Sequence, residues 1–389
     1  MKSSIAHSRN ESVSWRFRSN YPDLETFKNN VADAIRKGSD YEDIANDAYF
    51  QKAARVFLDK FKKEQAMFAP STQVRLDRAW LKYLSWCEQK NKPSLPSSPQ
   101  LVADYLKSRA KYCHRNTLNV ERWAISIIHQ AAGCPDPTSC LLVKNTMRGI
   151  VKNKVRREDE HIQQATPFKD HHLDRIIELW KGSNYLPDKR NVALLCVAYE
   201  SMLRSAEIVN IKVQHITINN DGSATLEIPF TKTNQSDDGS EYAYLSPEAV
   251  ELIEEYLNKA DIDRDDGGYL FRAVSRFSRV REPKRDFKTN GKIHKQMTTR
   301  SIENIFKKTW NTLNPKKKSS VEYRAFSAHS ARVGAAQDLL EQGFNSAQIR
   351  QAGRWKSDTM VMRYGQHISV KKSAMALSRK ARKYNLTSS

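Results

Sequence analysis

Apolar residues that recur at helical spacing dominate the first part of the chain. Over residues 47–157 they predict a series of helices separated by polar breaks, such as Ala69-Pro70-Ser71 and the loop 91–99. That loop ends in Ser98, a residue type suited to cap a helix, and Pro99, which suits the first helical position. We therefore expect residues 47–157 to form a small all-helical domain.

The segments that flank this domain lack a regular apolar pattern. Residues 1–46 are polar and are expected to form a weakly ordered extension, with one possible helix near 27–37. Residues 158–166 are charged and polar, which is typical of an interdomain linker. The remaining residues, 167–389, are then a second domain.

The pattern of this second domain is mixed. Residues 191–210 are apolar almost all round, which predicts a single buried helix. Alternating apolar positions over 226–230 and 242–244 predict a small antiparallel sheet, and helical patterns return after residue 246. The expected fold class is mainly α with a small antiparallel sheet, in which an all-helical N-terminal domain precedes a mixed α+β C-terminal domain.

Composition narrows the choice of partner. The 389 residues include 65 Lys and Arg against 44 Asp and Glu, a net charge of +21, which indicates a polyanionic partner. No apolar run approaches the ~20 residues that span a bilayer, so nucleic acid is favoured over membrane. The five cysteines lack metal-binding spacing, and no phosphate-binding Gly-rich loop occurs. We expect a cytoplasmic protein associated with DNA, with no cofactor, metal or nucleotide.

The candidate chemistry lies near the C-terminus. His329, Arg332 and Trp355 are residue types suited to bind a phosphate, and Tyr364 follows them as a possible nucleophile. His329 and Arg332 are three residues apart, so on a helix that begins near Ser327 they share one face. The positive end of that helix would also favour an anion. This order predicts covalent chemistry on a phosphodiester.

Each element of this pattern has a structural alternative. The same His-x-x-Arg spacing occurs at His172-Leu-Asp-Arg175, so the motif alone is weak evidence. Arg204 and Glu207 either pair with each other, or Glu207 orients its neighbours while Arg204 keeps donors free for a phosphate. Lys232 is either a solvated turn residue or a proton donor. The tryptophan and the tyrosine could both be core residues.

The ordered set resembles the tyrosine site-specific recombinases, also called the phage integrase family. The resemblance covers roughly residues 50–380. At the position of Trp355 most members have histidine, and a tryptophan there resembles the Cre-like branch. The matching segments are Leu203–Ile208, Thr231–Thr233, Ala328–Ala336, Gln351–Trp355 and Met362–Tyr364.

This resemblance implies a reaction and a role for each residue. Tyr364 would attack the scissile phosphate to give a 3′-phosphotyrosyl intermediate, while Lys232 protonates the leaving 5′-oxygen. Exchange of strands between two sites would then pass through a Holliday junction. The implied phosphate-binding and supporting residues are Arg204, Arg332, His329, Trp355 and Glu207, with His329 also assisting proton removal from the tyrosine.

The resemblance also implies how DNA is held. The two domains would form a C-shaped clamp on a double-stranded site with inverted repeats. Four copies would assemble on two sites, with the C-terminal helix of each docked into a neighbour. A bacterial protein from a phage or plasmid context is implied. The residues implied to contact DNA are Thr72, Arg75, Asn116, Thr117, Val120, Glu121 and Arg300, with Arg300 favoured for a guanine.

Two other functions compete with this interpretation. A type IB topoisomerase would use similar Tyr, Arg, Lys and His chemistry to relax DNA without pairing sites. A non-catalytic helical DNA-binding protein would need none of the six ordered residues.

Overall fold

The computed structural model separates the chain into two compact units, Met1–Ile162 and Gln163–Ser389. The division falls within the segment 158–166, where the sequence predicts a linker. The structure describes residues 23–64, 68–157, 160, 163–229, 240–281, 284–285, 292–293, 296–315, 324–371, 373 and 375–379.

The described part of the first unit is helical. Its α-helices are α1 Leu24–Arg36, α2 Tyr41–Asn46, α3 Ala48–Glu64, α4 Pro70–Gln89, α5 Pro99–Ala110, α6 Arg115–Ala131 and α7 Leu141–Arg156. Helices α4 and α6 pack together, as do α5 and α7. Tyr83 and Tyr105 are fully buried between them, with ring centres 4.9 Å apart in an edge-to-face arrangement. Ser98 caps α5 as predicted, since its hydroxyl accepts a hydrogen bond from Leu101 N at 3.2 Å.

The possible helix near 27–37 is α1, but the expectation of a weakly ordered extension is wrong for residues 24–46. Phe27, Val31 and Ala34 form an i, i+4, i+7 stripe on α1, and they are buried together with Phe50 of α3. Asp23 caps α1 by accepting a hydrogen bond from Thr26 N at 2.9 Å. The polar composition of this segment concealed a narrow amphipathic stripe. Residues 1–22 lie outside the described part of the chain.

The second unit is mainly helical around a small sheet. Its α-helices are α8 Asp170–Trp180, α9 Leu186–Glu200, α10 Ser205–Ile208, α11 Pro247–Ala260, α12 Thr299–Leu313, α13 Ser330–Gln342, α14 Ser346–Gly353 and α15 Thr359–Lys371. Its strands are β1 Ile216–Ile218, β2 Ala224–Ile228, β3 Glu241–Leu245, β4 Lys284–Arg285 and β5 Lys292–Ile293.

The first three strands form the predicted antiparallel sheet, in the order β1-β2-β3. Leu226 of β2 lies opposite Ile216 of β1 and Ala243 of β3, and it faces the core. The mainly α fold with a small antiparallel sheet is thus confirmed. Phe230 lies outside the described residues.

The predicted single helix over 191–210 is instead two helices with a break between them. Helix α9 is buried almost throughout and packs against α11 and α13. After Glu200 the chain turns at Met202, which has a φ of 50°, and α10 begins at Ser205. A non-glycine residue with positive φ leaves no clear sequence signal. The break moves Arg204 out of the apolar helix and places it at the N-cap of α10.

Candidate active site

The start of α13 positions the first two candidate residues. His329 is the N-cap and Ser330 the first helical residue, so the N-cap lies two residues after the predicted Ser327. Ser330 accounts for this start, because its hydroxyl accepts a hydrogen bond from Ser327 N at 2.9 Å. The helix ends at Gly343, in the left-handed conformation expected of a C-terminal glycine.

Arg332 is buried in the first turn of α13, with 2% of its surface exposed. Its Nη2 donates to Gly353 O at 2.6 Å, and its Nη1 donates to Met202 O. Burial, together with the charge of Arg204, lowers the pKa of Arg332 to about 10, so it stays cationic at neutral pH. None of its hydrogen-bond partners in the described part of the chain is a carboxylate.

Helix α14 brings Trp355 onto this arginine. The helix ends at Gly353, and Arg354 follows in the left-handed conformation. A Cβ at Gly353 would lie 2.9 Å from the indole ring, so glycine allows the ring to lie against this turn. The Trp355 ring centre is 4.9 Å from the Arg332 guanidinium carbon and 5.4 Å from the centre of the Tyr364 ring.

Tyr364 lies in the middle of α15, rather than near the end of its helix as its sequence context suggests. The residue is buried, with 5% of its surface exposed, and its hydroxyl oxygen is 2.7 Å from Nε2 of His329. Burial raises the pKa of Tyr364, and the positive charges of Arg332 and Arg363 act in the opposite direction. The hydroxyl is therefore neutral until a base removes its proton.

His329 is suited to act as that base. Loss of hydration, together with charge repulsion from Arg332, Arg204 and Arg363, lowers its pKa to about 4. His329 is exposed to solvent, which screens these interactions, but desolvation and the charges of the three guanidinium groups all act in the same direction, towards the neutral imidazole. At neutral pH the imidazole is uncharged, and with its proton on Nδ1 it can accept the tyrosine proton at Nε2.

Arg204 and Glu207 pair with each other, and Arg204 still has donors that no described residue uses. The two alternatives predicted from their spacing are therefore compatible. Glu207 is buried and accepts hydrogen bonds from Arg204 N at 2.8 Å and from Arg204 Nη1 at 2.7 Å. The guanidinium is still 30% exposed, and its Nε and Nη2 donate no hydrogen bond to any described residue. Lys232, the sixth residue of the set, lies outside the described residues.

A groove between α4 and α6 collects most of the predicted DNA-contacting residues of the first unit. Arg75, Asn116, Thr117 and Val120 all line it. Thr72 lies one turn earlier on α4 and is not among the lining residues. The sequence prediction missed Arg78 and Lys82, which also line the groove. Their spacing of three and seven residues from Arg75 places all three cations on one face of α4, so helical periodicity could have found them.

Glu121 also reaches this groove, but its carboxylate is already occupied. It is 1% exposed and accepts hydrogen bonds from Arg109 Nε at 3.1 Å and Nη2 at 2.8 Å, and from the Tyr105 hydroxyl at 3.0 Å. A buried carboxylate with three such donors is costly to redirect towards a base. The structure therefore favours a structural role for Glu121 over the predicted DNA contact.

The remaining predicted contacts lie in the second unit. Arg300 is the second residue of α12 and is exposed, next to the cap that Thr298 forms by accepting from Ser301 N at 3.1 Å. Residues 375–379 are helical, and Met375 and Leu377 are 68% and 55% exposed.

In the described ranges no group of three His, Cys, Asp or Glu side chains could hold a metal ion. No described helix is both long and apolar enough to span a bilayer.

The second unit thus joins a buried tyrosine hydroxyl, a neutral histidine and a group of guanidiniums, a combination suited to attack on a phosphodiester. Comparison with known proteins agrees, because residues 169–369 match the model of the phage integrase family. The chain belongs to this family. It is a tyrosine recombinase, an enzyme that cleaves and rejoins DNA.

Individual relatives support this assignment. Recombinase cre of Escherichia phage P1 is 32% identical over 331 residues, which cover 85% of this chain and 93% of that protein. The integrase/recombinase xerD homolog of Selenomonas ruminantium is 25% identical over 330 residues, covering 82% and 87%. These matches confirm the predicted recombinase family and its Cre-like character.

Solved structures share the fold at low sequence identity. The Tn1549 transposon integrase in complex with transposon right end DNA has a TM-score of 0.55 at 9% identity, covering 86% of this chain and 99% of that chain. XerH recombinase bound to a palindromic difH substrate has a TM-score of 0.53 at 12% identity, covering 91% and 96%.

Proposed function

We propose that this recombinase exchanges DNA strands at lox-like sites with inverted repeats, through a 3′-phosphotyrosyl intermediate and a Holliday junction. The observation that carries this proposal is the 2.7 Å approach of His329 Nε2 to the Tyr364 hydroxyl, beside the buried guanidinium of Arg332. A phosphate bound at that guanidinium would lie within reach of the tyrosine oxygen.

The cleavage step requires two proton transfers, one from the attacking tyrosine and one to the leaving 5′-oxygen. As the Tyr364 oxygen forms its bond to phosphorus, its proton passes to Nε2 of the neutral His329. The bond between phosphorus and the 5′-oxygen breaks, and Lys232 protonates that oxygen as it leaves. Rejoining reverses these steps, with a 5′-hydroxyl of the partner strand as the attacking group. The phosphotyrosine bond keeps the energy of the phosphodiester, so no nucleotide cofactor is required.

The arginines stabilise the charge that builds up on the phosphate. Arg332 and Arg204 would each donate to the non-bridging oxygens, and Trp355 would add its indole N–H. Glu207 keeps Arg204 in place without using all of its donors. Because these cations are held before the substrate arrives, little reorganisation accompanies the reaction.

DNA binding would use both units. The cations Arg75, Arg78 and Lys82 in the groove between α4 and α6, together with Arg300 on α12, provide contacts to phosphates and base edges. We propose that the two units close on the duplex as a clamp. Binding through many cationic side chains would weaken steeply as salt concentration rises.

Assembly of four copies on two sites would give the exposed residues of the C-terminal segment a partner. Met375 and Leu377 are apolar, exposed and on one helical segment, as expected of a helix that docks into a neighbouring subunit. Two subunits that read one inverted repeat would have twofold symmetry. We expect the protein to act on phage or plasmid DNA in a bacterial cytoplasm.

The first experiment identifies the DNA site and the nucleophile. DNA bound by the protein is selected from a random library, and inverted half-sites are expected in the recovered fragments. Tyr364→Phe should bind these fragments as the wild type does, but should form no covalent complex, since it removes only the attacking oxygen. A Tyr364→Phe protein that still becomes attached to DNA would overturn the assignment of the nucleophile.

A second experiment separates recombination from its alternatives. A supercoiled plasmid carries two copies of the selected site, and the products of wild type and Tyr364→Phe are compared. Recombined circles support the proposal. Relaxation without recombinants would support a topoisomerase, and identical behaviour of the two proteins would indicate a DNA-binding protein that has lost catalysis.

A further inference from the structure

Arg354 adopts a backbone conformation that is unfavourable for its residue type. It follows the last residue of α14 with φ 51° and ψ 51°, in the left-handed region that glycine occupies most easily. Helices commonly end in this conformation, usually with glycine. A long cationic side chain kept at such a position indicates that the side chain itself has a task.

The guanidinium of Arg354 connects three separate parts of the second unit. Its Nη2 donates to Ser201 O at 2.6 Å, just after the end of α9, and its Nη1 donates to Ala352 O at 3.2 Å in α14. Its Nε lies 3.4 Å from Oε2 of Glu241, the first residue of β3. The side chain is only 9% exposed, so these contacts are shielded from competing water.

The same two chain segments also hold Arg332. Arg332 donates to Met202 O and Gly353 O, and each of these carbonyls belongs to the residue directly after one that Arg354 contacts. Two arginines, from different helices, therefore bind adjacent carbonyls on both segments. A shift of either segment would move the acceptors that orient Arg332, and the second segment also leads directly into Trp355.

We propose that Arg354 is a positioning residue, which fixes segments 201–202 and 352–353 so that Arg332 and Trp355 meet the scissile phosphate correctly. This inference rests on the proposed roles of those two residues. Arg354 acts through them and makes no contact with the reacting atoms. Displacement of a phosphate-binding group by about 1 Å can reduce a rate by about a hundredfold, so positioning of this kind can affect the rate strongly.

The test compares Arg354→Gly with the wild type. Glycine suits the left-handed backbone, so the substitution removes the guanidinium while relieving backbone strain. The probe is the selected DNA fragment with a nick beside the cleavage point, which traps the covalent complex in a single turnover. At saturating DNA we expect the cleavage rate to fall by about tenfold to a hundredfold, with DNA affinity and thermal unfolding temperature unchanged. A merely structural role would lower the unfolding temperature instead.

Three controls make the result specific. Arg350→Ala removes the same charge one turn earlier on α14, where the side chain is 44% exposed, and should cleave at the wild-type rate. Arg354→Lys keeps the charge without the forked donors and should restore only part of the rate. Glu241→Gln removes the carboxylate charge beside Nε and should slow cleavage less than Arg354→Gly does.

Wild-type cleavage by Arg354→Gly would overturn the positioning role, and so would an equal loss of rate in Arg350→Ala. If Arg354→Gly does not fold, a wild-type rate in Glu241→Gln and in Arg354→Lys would overturn it in the same way. Tyr364→Phe run in the same assay separates the two proposals. If that protein still forms the covalent complex, the proposed function is at fault, whatever the Arg354 variants do.

Discussion

The second unit carries two His-x-x-Arg motifs, each at the start of a helix. His172 and Arg175 lie in the first two turns of α8, and His329 and Arg332 lie at the start of α13. Loss of hydration lowers the pKa of His172 to about 4, and the pKa of His329 falls to the same value. Neither the spacing nor the pKa of the histidine distinguishes the two motifs.

Their partners do distinguish them. The His172 Nδ1 accepts a hydrogen bond from Lys169 N at 3.0 Å, and its ring packs 5.1 Å from that of Phe326. Arg175 is 63% exposed and pairs with Glu178 at 2.6 Å. This motif is therefore internally satisfied and has a structural role.

The side chains of the motif on α13 have different hydrogen-bond partners. His329 faces the hydroxyl of Tyr364, and Arg332 is buried with two carbonyl partners and no carboxylate among its described hydrogen-bond partners. Burial of such a cation is costly, and the nearby charge of Glu207 offsets this cost only in part, so we expect the guanidinium to favour an anionic ligand. The two motifs therefore differ in their arginines, since Arg175 pairs with a carboxylate and Arg332 donates to two backbone carbonyls.

The arginines of the two motifs should differ most in their effect on cleavage. Arg332→Ala should reduce single-turnover cleavage of the selected DNA by about a hundredfold to a thousandfold, because a preorganised donor to the phosphate is lost. Arg175→Ala should leave cleavage close to the wild-type rate, since it removes only an exposed ion pair.

Folding of Arg332→Ala is checked by circular dichroism, and Arg332→Lys provides a second variant that keeps the charge in the core. Cleavage by both Arg332 variants at the wild-type rate would show that the phosphate is held elsewhere. A large loss of rate in Arg175→Ala would show that the two motifs are not distinct in function.

The sequence favours the motif on α13 over that on α8 because six residues occur in an order that resembles a known family. The order of these residues can be read directly from the sequence. The contact between His329 and Tyr364 cannot, because it joins two helices and has no local signal. The sheet and the helical first unit followed from apolar periodicity in the same way. Helix α1 was expected as a possible helix near 27–37, but its packing was not, because only three of its residues are buried and the surrounding sequence is polar.

Backbone conformation explains the other failures. Met202 and Arg354 both have positive φ without being glycine, and neither residue type predicts this conformation. The first ends α9 early and brings Arg204 to a helix cap, and the second turns Trp355 onto Arg332. Such residues are held by tertiary contacts, so periodicity and turn composition cannot reveal them.

The packing of α13 against the segment that leads into α8 joins the two motifs, and a substitution at Gly334 tests it. A Cβ at Gly334 of α13 would lie 1.8 Å from the carbonyl oxygen of Phe168, whose ring stacks on His172. Backbone atoms cannot move aside easily, so Gly334→Ala should lower the free energy of unfolding by about 2–3 kcal/mol. Thermal and denaturant unfolding measure this loss.

Gly149→Ala is the matched control, because a Cβ at that helical position in α7 would meet no atom within 4 Å. It should raise the free energy of unfolding by up to about 1 kcal/mol, since alanine favours a helix more than glycine does. Equal effects of the two substitutions would contradict close packing between α13 and the segment that leads into α8.

The two histidines should also differ in how they affect the pH dependence of cleavage. A histidine with the ordinary pKa of 6.5 would gain a proton below that pH and could no longer accept one from Tyr364. Because the pKa of His329 is lowered to about 4, its neutral form persists, and the rate should hold as pH falls until it approaches 4. Measurement at low DNA concentration reports the free enzyme, and a bound phosphate would move the midpoint upwards.

The two histidines then give opposite results on substitution. His329→Gln should lower the rate by about a hundredfold and remove the acid limb, because no base is left to protonate. His172→Gln should keep the wild-type profile, although it loses packing in the core. The pKa values of both histidines are lowered in the folded protein, so below pH 6.5 the unfolded chain binds protons that the folded chain does not. The free energy of unfolding of the wild type should therefore fall as the pH is lowered from 6.5 to 4. An acid limb that shifts with His172→Gln but not with His329→Gln would reverse the assignment of the two motifs.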